Sequence, residues 1–206
     1  MKTLFTCLLV LALAGIAQAQ TGIYFSEYVE GSSNNKAVEI YNGTNEAIDM
    51  ARLRIERYNN GSTTISGGPY YYTGSLAAGD VYVIGNPSAV AAILDVSDET
   101  SDLTYYNGDD VLLLYFDDQI VDSIGQLGVD PGTNWTSGSC ATSEMTLVRK
   151  AGSCMGDTNP NDVYDPSVDW DCYPADTFSY LGFHTTDCAV VPDLNTSWSG
   201  IKSLYR

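Results

Sequence analysis

The sequence predicts an all-β sandwich with one short helix and a long disulfide-bonded C-terminal loop region. Three observations carry that expectation. Short runs of alternating apolar and polar residues recur at near-regular spacing, turns rich in Gly, Asn and Asp separate them, and a single stretch has a helix signature. The 206 residues divide into an N-terminal signal (1–19), one domain (20–188), a linker (189–195) and a short amphipathic tail (196–206).

The opening "MKTLFTCLLVLALAGIAQAQ" has the three parts of a secretory signal. Lys2 supplies positive charge, Leu4 to Ile16 an apolar core, and Ala17-Gln18-Ala19 a small-residue cleavage site. The apolar run is shorter than the roughly 18–20 residues of a membrane span, and no later segment approaches that length. Cys7 lies inside the apolar core, away from a lipid-attachment position. The expected product begins at Gln20 and is secreted, extracellular or associated with the cell surface.

The strands follow in order. Gly22 to Val29 alternates, with Ile23, Phe25 and Val29 available to pack. After the polar loop Glu30 to Lys36, Ala37 to Tyr41 sets Val38 and Ile40 on one face and Glu39 on the other. "RLRIERY" (Arg52 to Tyr58) points Leu53 and Ile55 inward, Arg54 and Glu56 outward. "NNGS" then supplies a turn. "YYYT" (Tyr70 to Thr73) and "VYVIG" (Val81 to Gly85) are further strands. "NPSAVAAILD" reads as the helix, with Asn86 as cap and Pro87 at the first position. "VLLLYF" (Val111 to Phe116) has no alternation and predicts a central strand buried on both faces. Asp117-Asp118 turns it into "QIVDSIG", and Met145 to Lys150 is the last strand expected. Gly152 to Cys188 reads as loop laid over the sandwich. In the tail, Trp198, Ile201, Leu204 and Tyr205 fall at helical spacing beside Lys202 and Arg206.

Of five cysteines, Cys7 goes with the signal, leaving Cys140, Cys154, Cys172 and Cys188. An even number in an exported chain predicts two disulfides. Three connectivities are open, and the sequence-local one, Cys140–Cys154 with Cys172–Cys188, is favoured. C-x2-C spacing, which a four-thiolate zinc site would use, is absent. Removing residues 1–19 leaves 8 basic against 26 acidic side chains, a net −18. So acidic a surface argues against nucleic acid, whose binding rests on Lys and Arg displacing counterions. It suits cations, or a basic or neutral partner.

The strongest metal candidate is "GDTNPNDVYDPSVDWD". Asp157, Asn159 and Asn161 stand at the one, three, five spacing of a calcium loop, with Asp165 at nine. Asp162 replaces the usual Gly and Val168 the bidentate Glu, so any calcium site here is irregular. Glu27, Glu30 and Glu39 could form a carboxylate group, but Asn34, Asn35 and the neighbouring serines are what a turn requires. Asp109 or Asp110 in "NGDD" are expected in a turn. His184 is the one histidine, and with no G-x-S-x-G elbow it is expected to bond within the closing loop. Three consecutive tyrosines, Tyr70 to Tyr72, must turn at least one ring outward.

Six segments, "FSEYVEGSSNNKAVEIYNGT", "LAAGDVYVIG", "YNGDDVLLLY", "VDSIGQLGVDPGTNW", "TLVRKAG" and "FSYLGFHT", occur in the order seen in bacterial lamin-tail domains. The chain resembles that family over roughly Gly22 to Asp187. The resemblance implies an immunoglobulin-like β-sandwich and a module without an agreed catalytic centre. Relatives accompany secreted nucleases, phosphatases and other hydrolases in longer chains, and no such neighbour is expected within these residues. The expectation is therefore a secreted, non-catalytic binding or scaffolding module with a protein or surface-polymer partner, no catalytic residue and no required cofactor. The alternatives are a calcium-dependent extracellular hydrolase or phosphoesterase, and a structural surface or adhesin component.

Overall fold

The computed structural model describes residues 22–188. The expected signal (1–19), the linker (189–195) and the tail (196–206) lie outside the described residues. In chain order the first strands are β1 (Ile23–Glu30), β2 (Lys36–Asn42), β3 (Ile48–Asp49), β4 (Leu53–Tyr58), β5 (Tyr70–Tyr71), β6 (Ser75–Leu76) and β7 (Val81–Gly85). Then come β8 (Glu99–Thr100), β9 (Val111–Phe116), β10 (Gln119–Ile124), β11 (Thr136–Ser137), β12 (Cys140–Ala141), β13 (Met145–Arg149) and β14 (Trp170–Pro174). Two single-turn helices, α1 (Ala91–Leu94) and α2 (Pro166–Asp169), lie between them.

Two sheets face each other. One is six-stranded, ordered β14-β13-β1-β2-β7-β8, and the other four-stranded, ordered β10-β9-β4-β5. All their pairs run antiparallel except β7 with β8. Two ribbons, β3-β6 and β11-β12, complete an immunoglobulin-like β-sandwich. Ile23, Phe25, Tyr28, Val38, Ile40, Ile84 and Leu147 meet Leu53, Ile55, Leu112, Leu114 and Ile124 in the core between them. Tyr106 plugs the core, stacking on Tyr28 at 4.8 Å between ring centroids. Its hydroxyl lies 2.8 Å from the Val29 carbonyl and 2.7 Å from that of Ala37, sharing one hydrogen between them.

The outer faces are covered as well. Val29, Ala37 and Val83 pack beneath Ile93 of α1 and Leu181 of the closing segment, while Tyr58, Val111 and Leu113 pack beneath Trp135. Every residue of β1 and β2 is consequently buried. Glu39 and Glu56, expected to face solvent, are buried: Glu39 lies beneath the distant closing segment, and Glu56 accepts from its strand neighbours Arg54 and Tyr58. β9 is central and buried, as its unbroken apolar run predicts.

Three other expectations are corrected. The helix does not begin at Asn86. The Asn86 side chain accepts from the Ser88 amide, and Val90 stays extended, so only one helical turn forms from Ala91. The segment read as loop from Gly152 to Cys188 contributes α2 and β14, and β14 pairs with β13 from Met145↔Pro174 to Arg149↔Trp170. The disulfides are Cys140–Cys172 and Cys154–Cys188, with Cα atoms 5.3 and 5.5 Å apart, and not the sequence-local pairs. The extended strand β13, roughly 16 Å long at about 3.3 Å per residue, stands between Cys140 and Cys154 in the chain. Cys140 instead meets Cys172 on β14, and Cys188 returns to Cys154 after the closing segment has crossed the sheet.

Candidate functional site

The loop after β1 spends its polar groups on holding itself. Lys36 Nζ donates to Glu30 Oε1 at 2.8 Å, to the Tyr106 carbonyl at 2.6 Å and to Asn107 Oδ1 at 3.3 Å. Glu30 Oε2 accepts from the Glu144 amide. The Ser32 amide and hydroxyl and Asn35 Nδ2 donate to Asp176, and Asn35 Oδ1 accepts from the Val90 amide. These donors hold the Asp176 carboxyl below the usual carboxylate range. The loop is thus a clasp fastening the β1–β2 turn to the closing segment and to the approach to α1.

A cleft of about 370 Å³ opens where β10 and β13 meet the segment from Met155 to Trp170. Its floor is a buried ion pair between Arg149 Nη2 and Asp122 Oδ2. Asp122 also accepts from the amides of Phe25, Ser123 and Asp157 at 2.8 to 2.9 Å. Arg149 Nε donates to the Phe25 carbonyl at 2.6 Å and Nη1 to the Met155 carbonyl at 3.1 Å, with the guanidinium between the rings of Tyr24 and Trp170. Gly156 is required by close approach: a Cβ there would lie 2.2 Å from the Val121 carbonyl oxygen, and the Asp157 amide could not reach Asp122.

Besides Asp122, four aspartates line the cleft, Asp157, Asp162, Asp165 and Asp169, together with Val163 and Val168, which are 84% and 62% exposed. Burial raises the Asp157 carboxyl, and the charges of Asp162 and Asp169 push the same way. Asp165 is held low by the Ser167 hydroxyl and amide, which it accepts from as the cap of α2. Of the sequence-predicted calcium ligands, Asp157 and Asp165 therefore reach the same cleft. Asn159 and Asn161 do not line it: Asp157 Oδ1 accepts from the Asn159 amide, Asn159 Oδ1 from the Asn161 amide, and the Asn161 carbonyl from Gln126. Among the described residues no three His, Cys, Asp or Glu side chains are grouped to hold a metal ion. Asp162, Asp169 and the Asp122–Arg149 floor were missed in the sequence. The Asp165-Pro166 step was the available signal, because it starts a helical turn that swings Val168 and Asp169 to one side.

The remaining candidates separate. Glu27 and Glu39 are register partners across β1 and β2, whereas Glu30 turns to the opposite face. Asp110 is buried and accepts from the amides of Asn60 and Asn107. His184 packs its ring against Tyr24 and Tyr41, and its buried Nε2 has no hydrogen-bond partner, contrary to the expected loop bond. Burial, with the Arg149 charge, depresses its pKa to about 4. Tyr71 is the outward ring of its triplet, 67% exposed.

No helix among the described residues is long and apolar enough to cross a membrane. None of the curated proteins matches this chain. The family model for the lamin tail domain matches residues 16–128, more than half of the sequence and the whole run from β1 to β10. With that match laid on an immunoglobulin-like sandwich of the same strands, the chain belongs to the lamin tail domain family.

Proposed function

We propose that the protein is an exported, non-catalytic binding module whose acidic cleft receives a Lys or Arg side chain of a protein partner. The observation that carries this reading is the cleft itself. Four aspartates surround an opening flanked by two exposed valines, over a floor that hydrogen bonding already fixes. A basic side chain would place its cation among the carboxylates and its aliphatic stem along Val163 and Val168. The net charge of −17 would speed the approach of such a partner and keep nucleic acid away. The cleft walls beyond Ser123 come from residues after the family match ends, so the recognition would belong to this chain's own C-terminal portion. Export is supported by the signal-like first 19 residues and by two disulfides.

The test is a titration with a short Lys- and Arg-containing peptide, followed by fluorescence of Trp170 at the cleft base, at low and high salt. We expect saturable, salt-weakened binding that Asp162→Asn with Asp169→Asn reduces at least tenfold. Binding that those substitutions leave unchanged would overturn the cleft as the site.

A second reading places calcium at Asp157, Asn159, Asn161 and Asp165, favoured by the two aspartates sharing the cleft. A calcium-stabilised native state that Asp157→Asn abolishes would support it, and phosphoester turnover lost with the same change would mark a calcium-dependent hydrolase. Calcium stabilisation without turnover would fit a structural surface component.

A further inference from the structure

The outer face of the six-stranded sheet hides a polar group that nothing in the fold explains. Glu27 is 1% exposed and neither of its carboxylate oxygens has a hydrogen-bond partner. Its register partner Glu39 is fully buried beside it. Glu39 Oε1 accepts from the Ser26 hydroxyl at 2.6 Å and Oε2 from the Gly182 amide at 2.7 Å, each oxygen keeping a lone pair free. Thr146, fully buried on β13, sits one step diagonally from Glu27 on the same face, and its hydroxyl is also unpartnered. The register shift between Phe25 and Glu27 is a β-bulge at Ser26 that re-aims these side chains. The closing segment, with Leu181 and Gly182, lies over them.

Protonation does not resolve the arrangement. Burial and the neighbouring Glu39 push the Glu27 pKa up to about 9, so the acid form would prevail near neutrality without a counter-charge. A protonated Glu27 would still leave its second oxygen unpartnered, because no N–H or O–H donor reaches either oxygen. The groups present are oxygen donors only: two carboxylates, whose charge balances one divalent ion, and the hydroxyls of Ser26 and Thr146. Hard cations such as calcium and magnesium take such ligands. We propose that a hard divalent cation binds between Glu27 and Glu39, beneath the closing segment, and locks that segment onto the sheet through Glu39 and Gly182. This site is separate from the cleft and independent of the binding function proposed for it.

Thermal unfolding with calcium, with magnesium and with chelator, at fixed ionic strength, tests it on the wild type, Glu27→Gln and Asp157→Asn. A midpoint rise on the order of 5–10 °C is expected at a hundredfold excess of ion over Kd. It should persist in Asp157→Asn and vanish in Glu27→Gln, with proton release on binding and slower exchange of the Gly182 amide. No rise with either ion in the wild type would overturn the proposal. A rise lost in Asp157→Asn and kept in Glu27→Gln would overturn it too, by moving the ion to the cleft. Should Glu27→Gln fail to fold, carboxyl carbon NMR of the wild type decides: an ion that leaves the Glu27 signal in its acid form is not bound there.

Discussion

Two acids are buried on either side of β1, and they are treated in opposite ways. Asp122, fully buried, accepts from three backbone amides and an arginine. Glu27, almost as deep, accepts from nothing. The first is a finished piece of architecture: desolvation is offset by an opposite charge and by hydrogen bonds to its lone pairs. The second is unfinished, and a buried polar group without partners calls for an agent outside the polypeptide. Burial alone therefore does not mark a functional acid. The partner count does.

The largest way to break the comparison is Arg149→Met. It strands Asp122 and should destabilise the fold by about 3–5 kcal/mol in urea denaturation. Adding Asp122→Asn should recover part of that loss, because the stranded charge and not the missing arginine is the greater cost. Next comes Cys154→Ser with Cys188→Ser, which frees the end of the closing segment. Chain entropy for a closure of this size gives about 3–4 kcal/mol. Amide exchange should accelerate at Gly182 and leave β9 protected, and uniform acceleration would mean that the segment does not act as a separate unit.

The smallest effect sharpens the comparison through pH. Glu27 and Glu39 hold their protons more tightly in the folded chain than at their ordinary value of 4.5, rising to about 9 and about 7. Their contribution is therefore complete below pH 4.5 and is lost as pH climbs through those two values. His184, depressed to about 4, works at the other end, withdrawing stability as pH falls from 6.5. In chelator, the wild-type urea midpoint should decline from pH 5 to 9, and Glu27→Gln should flatten that decline while leaving the acid side unchanged. An unaltered slope would show that Glu27 titrates normally.

Local patterns were readable where local rules decide. Val81 to Gly85 and Val111 to Phe116 form strands with the predicted bounds. The Asp117-Asp118 pair forms the hairpin turn, with both residues at positive φ. Long-range covering was not readable. Glu39 looked exposed because alternation reports only which face a residue takes, and the lid on that face comes from Phe178 to Gly182. The cysteine pairing failed for a related reason: proximity in sequence says little once a rigid strand separates two residues. At the cleft, Asp157 and Asp165 were visible through their spacing. Asp122 and Arg149 lie 27 residues apart and meet only because β10 and β13 converge at the core.

The sheet borders have a bearing on how crowded copies of this chain behave. Exposed strand edges are templates for pairing with a second molecule. Here β5 and β8 are only two residues long, too short to seed an intermolecular ladder. β10, the six-residue border of the smaller sheet, is covered at Val121 and Asp122 by Gly156 and Asp157. β14 is longer, but Asp171 charges it and Pro174 denies it an amide at its end. Neighbours with so many acids also repel one another before their edges meet. A sandwich with these borders should remain dispersed at high concentration.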